Sequence, residues 1–114
     1  MLHDDGWLLD ILLAARRVSE YVSNVSAEEF RQNPMLQDAV VKRLEIIGEA
    51  ANRLSEEYKA AHPEIPWTLM IGMRHRLVHA YFNIDLPRVW HVAVKDIPDL
   101  VCRIELIVPP PGNS

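Results

Sequence analysis

Residues 73–82 read MRHRLVHAYF and gather Arg74, His75, Arg76, His79 and Tyr81 into ten positions of an acidic chain. Arginine is permanently charged, and its planar fork matches the oxygens of a phosphate. Histidine titrates near neutrality, so it can accept or release a proton at working pH. Cleavage of an RNA phosphodiester asks for little more: a 2′-hydroxyl activated, a phosphate steadied in flight, a leaving oxygen protonated. Residue types alone leave the chemistry open. Arg76 and Arg88 also read as solvated helix charges or partners of nearby carboxylates, and Tyr81 as an aromatic at the core's edge with its hydroxyl in water. His75 and His79 have the four-residue spacing of a metal pair. The segment holds no cysteine and only Asp85 as a nearby carboxylate, which argues against zinc. His3, His62 and His91 read as surface or packing residues.

Spacing sets a geometric problem. Arg74 and His79 are five residues apart, so a straight helix would splay them by about 140°. Either the helix distorts near Val78 or the partner of one residue comes from another chain. One chain also offers one clear acid–base histidine where the reaction has two proton-transfer roles. A symmetric dimer with two such segments face to face would resolve both shortages.

The elements that must position these residues read as helical throughout. Trp7, Leu8, Ile11, Leu12, Ala15, Val18 and Val22 recur at three- and four-residue steps and predict a first amphipathic helix. Ser26 and Glu29 stand in capping-box spacing for a short connecting helix. Asn33-Pro34 marks the start of a long one, whose apolar face runs Leu36, Val40, Leu44, Ile47, Ala51, Leu54, Tyr58 until HPEIP breaks it. Gly48, Ala50 and Ala51 leave room there for another helix to approach closely. A third long helix is predicted from Pro66 or Trp67 through Leu69, Met70, Met73 and Leu77, fraying around His79 to Asn83. Asp85 caps a fourth, with Pro87 in its first turn, and Pro98 predicts a kink or a new helix capped by Asp96. The predicted fold is all-α, an up-and-down bundle of about four to five helices.

Size and charge bound the rest. A chain of 114 residues, 49% hydrophobic and 25% charged, has the composition of one soluble globular domain. Residues 1–108 are read as that domain and the proline-rich 109–114 as a flexible tail. The aspartates of the first ten residues argue against a secretory signal, and no apolar run approaches the roughly 20 residues of a membrane span, so the chain reads as cytoplasmic. The single cysteine, Cys102, excludes an internal disulfide and reads as a small buried apolar residue among Leu100, Val101 and Ile104. Net charge is −4, which argues against binding nucleic acid over the whole surface. Residues 66–95 nevertheless carry Arg74, Arg76, Arg88 and Lys95 against Asp85 alone, a local balance of +3. A basic island on an acidic body suits a phosphate-bearing partner.

RHRLVHAYF resembles the R-x4-H-x-Y signature of HEPN domains, specifically the HepT-like toxins of HEPN/MNT toxin–antitoxin pairs. QDAVVKRLEIIGEAANRLSEEY, HPEIPW and NIDLPRVW are similar, in the right order, to that family's second helix, loop and fourth helix. The resemblance covers nearly the whole chain. It implies a metal-independent endoribonuclease without cofactors, built as a helical homodimer with its motifs meeting at a cleft between subunits. By position it implies Arg74 on the scissile phosphate, His79 as the acid–base residue, and His75 in support where the family often has asparagine. Tyr81 matches the tyrosine to which the family's nucleotidyltransferase antitoxin adds AMP. A non-catalytic subunit presenting substrate or nucleotide to that transferase is the competing expectation, and a purely structural helical dimer is a third.

Overall fold

The computed structural model describes residues 2–80 and 83–108, with the side chains of 4–73 and 84–108. The tail expected from 109 onward lies outside the described residues. Helix α1 (Leu2–Val22) lies against α3 (Pro34–Arg53) and α7 (Ile97–Glu105), and α3 carries α5 (Trp67–Leu77) on a further face. Short helices α2 (Ala27–Arg31), α4 (Glu56–Ala61) and α6 (Leu86–His91) make the connections. The all-helical bundle expected from the sequence is present, with one addition described below.

Each long helix forms where its apolar period dictates. Leu8, Ile11, Leu12, Ala15 and Val18 of α1 meet Val40, Leu44, Ile47 and Ala51 of α3 in one core with Ile97, Leu100 and Ile104 of α7. Caps close the open helix ends. Ser26 and Glu29 exchange both bonds of a capping box on α2, at 3.0 and 2.8 Å. Asn33 accepts from the Leu36 N–H at 3.1 Å, with Pro34 opening α3. Between α1 and α2 the chain turns through Asn24 at φ 62°, the left-handed region that asparagine tolerates better than most residues.

Three of these expectations are corrected. The long second helix does not run to Tyr58. It ends at Arg53, Leu54 turns extended, and Ser55 starts α4 by accepting from the Tyr58 N–H at 3.1 Å. The cause lies in α1: the Asp4 carboxylate, only 4% exposed, accepts from the Ser55 N–H at 2.9 Å and from its hydroxyl at 2.7 Å. A carboxylate holding a backbone N–H removes it from the helical ladder. Asp4→Ala should therefore destabilise the fold by about 2–3 kcal/mol, since bonds to a charged acceptor are worth about 1.5–3 kcal/mol each. Denaturant titration would show it, and an unchanged midpoint would refute the joint. Beyond this joint Tyr58 sits against His62 and Trp67, its phenol held above its ordinary pKa by burial and then by the carboxylates of Asp5, Asp4 and Glu64.

The second correction concerns Asp96. It makes no capping bond, and a π-helical turn (Val92–Asp96) carries α6 into α7 without a break. Third, Cys102 is exposed rather than buried. The buried stripe of α7 is Ile97, Leu100 and Ile104, and two residues from Leu100 is about 200° around the axis, on the far side. Helix α5 runs through Leu69 to Leu77 as expected, with Trp67, Met70 and Met73 on its buried face and Leu69 at the surface.

Candidate functional site

The start of α5 is fixed by Trp67. Its ring is buried, and its Nε1–H donates to the carbonyls of His62 at 2.9 Å and Lys59 at 3.1 Å. A buried indole needs such partners, and here they tie the HPEIP loop to the first turn of α5. The flank of α5 is fixed by Gly48. A Cβ built at Gly48 would stand 2.9 Å from the Met70 carbonyl oxygen, so α3 and α5 approach at a distance only glycine permits. The small-residue patch predicted for α3 is used here. Met73, buried one turn later, ends the described side chains of α5 directly before Arg74.

The signature spans a change of backbone. Helix α5 ends at Leu77, and Val78–Ala80 is extended as β1, paired antiparallel with β2 (Asn83–Ile84). Val78 stands opposite Ile84 and Ala80 opposite Asn83, with an irregular register between them. A fraying helix was expected here, and a two-stranded ribbon is found. Arg74 and His75 thus belong to the last turn of α5, and His79 is the middle residue of β1. The 140° splay of a straight helix does not apply to a pair that straddles a helix end. The side chains of Arg74, His75, Arg76, Leu77, Val78 and His79, and Tyr81 altogether, lie outside the described residues.

Past the ribbon, Asp85 starts α6: its Oδ1 accepts from the Arg88 N–H at 3.2 Å, and its Oδ2 stands 3.7 Å from the Arg88 Nε. Arg88 is half exposed, as a surface charge with a carboxylate neighbour was expected to be. Trp90 lies on Phe30, ring centroids 5.2 Å apart, which seats α6 on α2. Between α5 and this second segment lies a groove of about 520 Å³, lined by Leu69 and Met73 on one side and by residues from Asp85 to Asp96 on the other. Sequence reading missed it. The available signal was Arg88 and His91 at helical spacing directly after the signature, which only a view of α5 alongside would have turned into a surface. Among the described residues no group of three or more metal-ligating side chains gathers. No described helix is long and apolar enough to cross a membrane.

The site is thus a helix-to-ribbon junction in a small helical bundle, with an Arg-x4-His segment across it and a groove beside it. With that geometry described, the chain can be set beside known families. A family model for HepT-like ribonucleases matches residues 11–107. The chain belongs to the HepT-like ribonuclease family. A Thermococcus cleftensis protein named "Probable ribonuclease HepT" is 40% identical over 103 residues, covering 90% of this chain and 93% of its own. Two proteins provisionally named as RNases are each 36% identical over 102 residues and 90% of this chain. One comes from Methanocaldococcus jannaschii, the other from Caldanaerobacter subterraneus subsp. tengcongensis, and 94% and 91% of their own lengths are covered. No solved structure matches the chain.

Proposed function

We propose that this chain is the toxin of a toxin–antitoxin pair, a metal-independent endoribonuclease that acts as a homodimer. The observation that carries the reading is the Arg74-x4-His79 spacing set across the end of α5 in a chain of the HepT-like ribonuclease family. Relatives named as RNases over nearly their full length support the activity. In this reading Arg74 binds the scissile phosphate and stabilises the charge that develops on it. His79 takes the proton of the 2′-hydroxyl, the 2′-oxygen attacks phosphorus, and the bond to the 5′-oxygen breaks. His79 of the partner subunit gives a proton to that leaving oxygen, so two chains supply the two roles. His75 supports Arg74 from the next position. The products are a 2′,3′-cyclic phosphate and a 5′-hydroxyl.

A cognate MNT-type nucleotidyltransferase is the antitoxin, and AMP added to Tyr81 places a phosphate and a nucleoside beside the site, where they repel and obstruct RNA. The test uses the purified chain and a structured RNA in EDTA. Cleavage with cyclic-phosphate ends, abolished by a single 2′-deoxy substitution at the cut position, is expected. Loss of cleavage in EDTA, or cutting past the 2′-deoxy position, would overturn the mechanism. A Tyr81→Phe variant should still cleave and should gain no mass from the antitoxin with ATP. AMP still attached to it would move the modification to another residue.

A further inference from the structure

The groove beside the signature segment has no part in the reaction just described, yet two of its lining residues flank that segment in sequence. Met73 directly precedes Arg74, and Asp85 directly follows β2. Its buried lining is apolar, from Met73 and Val92, and its exposed lining carries Leu69 and the ionisable Arg88, His91 and Asp96. About 520 Å³ lies within the range of roughly 300–1,000 Å³ that small-ligand sites occupy. A buried apolar lining beside exposed donors and acceptors suits a flat heterocycle with a phosphate attached.

The π-helical turn is what aligns the lining. On an unbroken α-helix Arg88 and Asp96 would drift about 80° apart around the axis over their eight-residue separation. The wider turn of Val92–Asp96 takes out part of that drift, so Arg88, Val92 and Asp96 all line one groove. The two carboxylates differ in what they have left to offer. Asp85 already receives the Arg88 N–H and stands beside its guanidinium, whereas Asp96 caps nothing and stands exposed.

We propose that this groove holds one unpaired base of the RNA, the base adjoining the scissile phosphate, and that it favours guanine. The proposal rests on the ribonuclease reading above for the identity of the occupant. Guanine presents its N1–H and its N2 amino group side by side, which matches both oxygens of the Asp96 carboxylate. The ring lies on Met73 and Val92, where single-stranded bases find the apolar contact they lose on unstacking. Arg88 and His91 receive the flanking phosphate, in keeping with the positive balance of residues 66–95. Uracil has no amino group to offer Asp96 and is the base most disfavoured.

The test has two separate readouts. Cleavage sites of the full chain on an RNA pool with random single-stranded positions should show guanine enriched at one fixed position beside the cut, by about 10-fold over uracil. Asp96→Asn, an exposed change that does not endanger folding, should bring that preference below about 3-fold, because an amide cannot accept at both atoms. Val92→Trp should fill the groove and raise KM for RNA. Independently of cleavage, guanosine 5′-monophosphate titrated into the full chain should shift the Met73 methyl signal in NMR, and uridine 5′-monophosphate should shift it far less. RNA that is not cut while guanosine monophosphate still moves Met73 would end the ribonuclease reading and leave the groove standing as a nucleotide site. Cutting with no base preference, together with a Met73 signal unmoved by both nucleotides, would overturn the groove proposal. So would a Met73 signal that only the antitoxin protein moves, which would make the groove a protein-docking surface.

Discussion

His79→Ala is expected to reduce RNA cleavage by about 10²–10⁴-fold, the usual contribution of a positioned acid or base, and to abolish growth arrest when the chain is expressed alone. In the proposed homodimer each site draws on two copies of His79, so one substitution removes both proton-transfer roles, and the effect should sit at the upper end of that range. Folding should survive. The residue belongs to the three-residue strand β1, whose pairing with β2 is carried by the backbone of Val78 and Ala80. The distinguishing measurement is the heterodimer formed by mixing a tagged His79→Ala chain with wild type. If acid and base come from different chains, the mixed dimer should fall far below half of wild-type activity. Cleavage by His79→Ala at the wild-type rate would remove His79 from the mechanism, and a mixed dimer at half activity would return both roles to one subunit.

The second large effect is on stability. Gly48→Val should lower the folding free energy by at least about 1–3 kcal/mol, the usual cost of overpacking a well-filled interior. The added carbon would meet the Met70 carbonyl oxygen at 2.9 Å, and that atom is backbone, so no rotamer change can relieve the contact. Helix α5 must move off α3 or the substitution is not accommodated. A thermal midpoint lowered by about 4 °C or more for each kcal/mol is the expected reading in a domain this size. Cleavage should fall in step at temperatures where the fold persists, because Met70 lies one turn before Arg74 on the same helix. Gly48→Ala should show the same sign more weakly, since alanine's better helix propensity returns up to about 1 kcal/mol. A Gly48→Val chain with the wild-type midpoint would show that α3 and α5 do not set one another's position.

The periodic elements were legible without a structure. Leu8, Ile11, Ala15 and Val18 had to share one face of α1, and Asn33-Pro34 and Asp85 had to start helices, because those signals act within a few residues of where they stand. Capping and amphipathic spacing are local physics, and local physics is written in order along the chain. What failed was each feature decided by a partner distant in sequence. Ser55 ends the long helix early because Asp4, some fifty positions away, takes its N–H. Cys102 turns outward because the core stripe of α7 was already filled by Ile97, Leu100 and Ile104.

The signature segment divides in the same way. Its types and spacing, arginine, four residues, histidine, one residue, tyrosine, carried with their flanks the resemblance to a family, while residue types alone left the chemistry open. They also posed a contradiction, because a straight helix holds Arg74 and His79 apart. Tertiary structure decided that the helix stops at Leu77 and that Val78–Ala80 pairs with Asn83–Ile84, which no propensity in the segment specifies. It alone decided, too, that Leu69 and Met73 face Arg88, His91 and Asp96 across a groove. A residue's chemistry is a property of its side chain and can be read in sequence. Its company is a property of packing, settled only when helices far apart in the chain compete for the same interior.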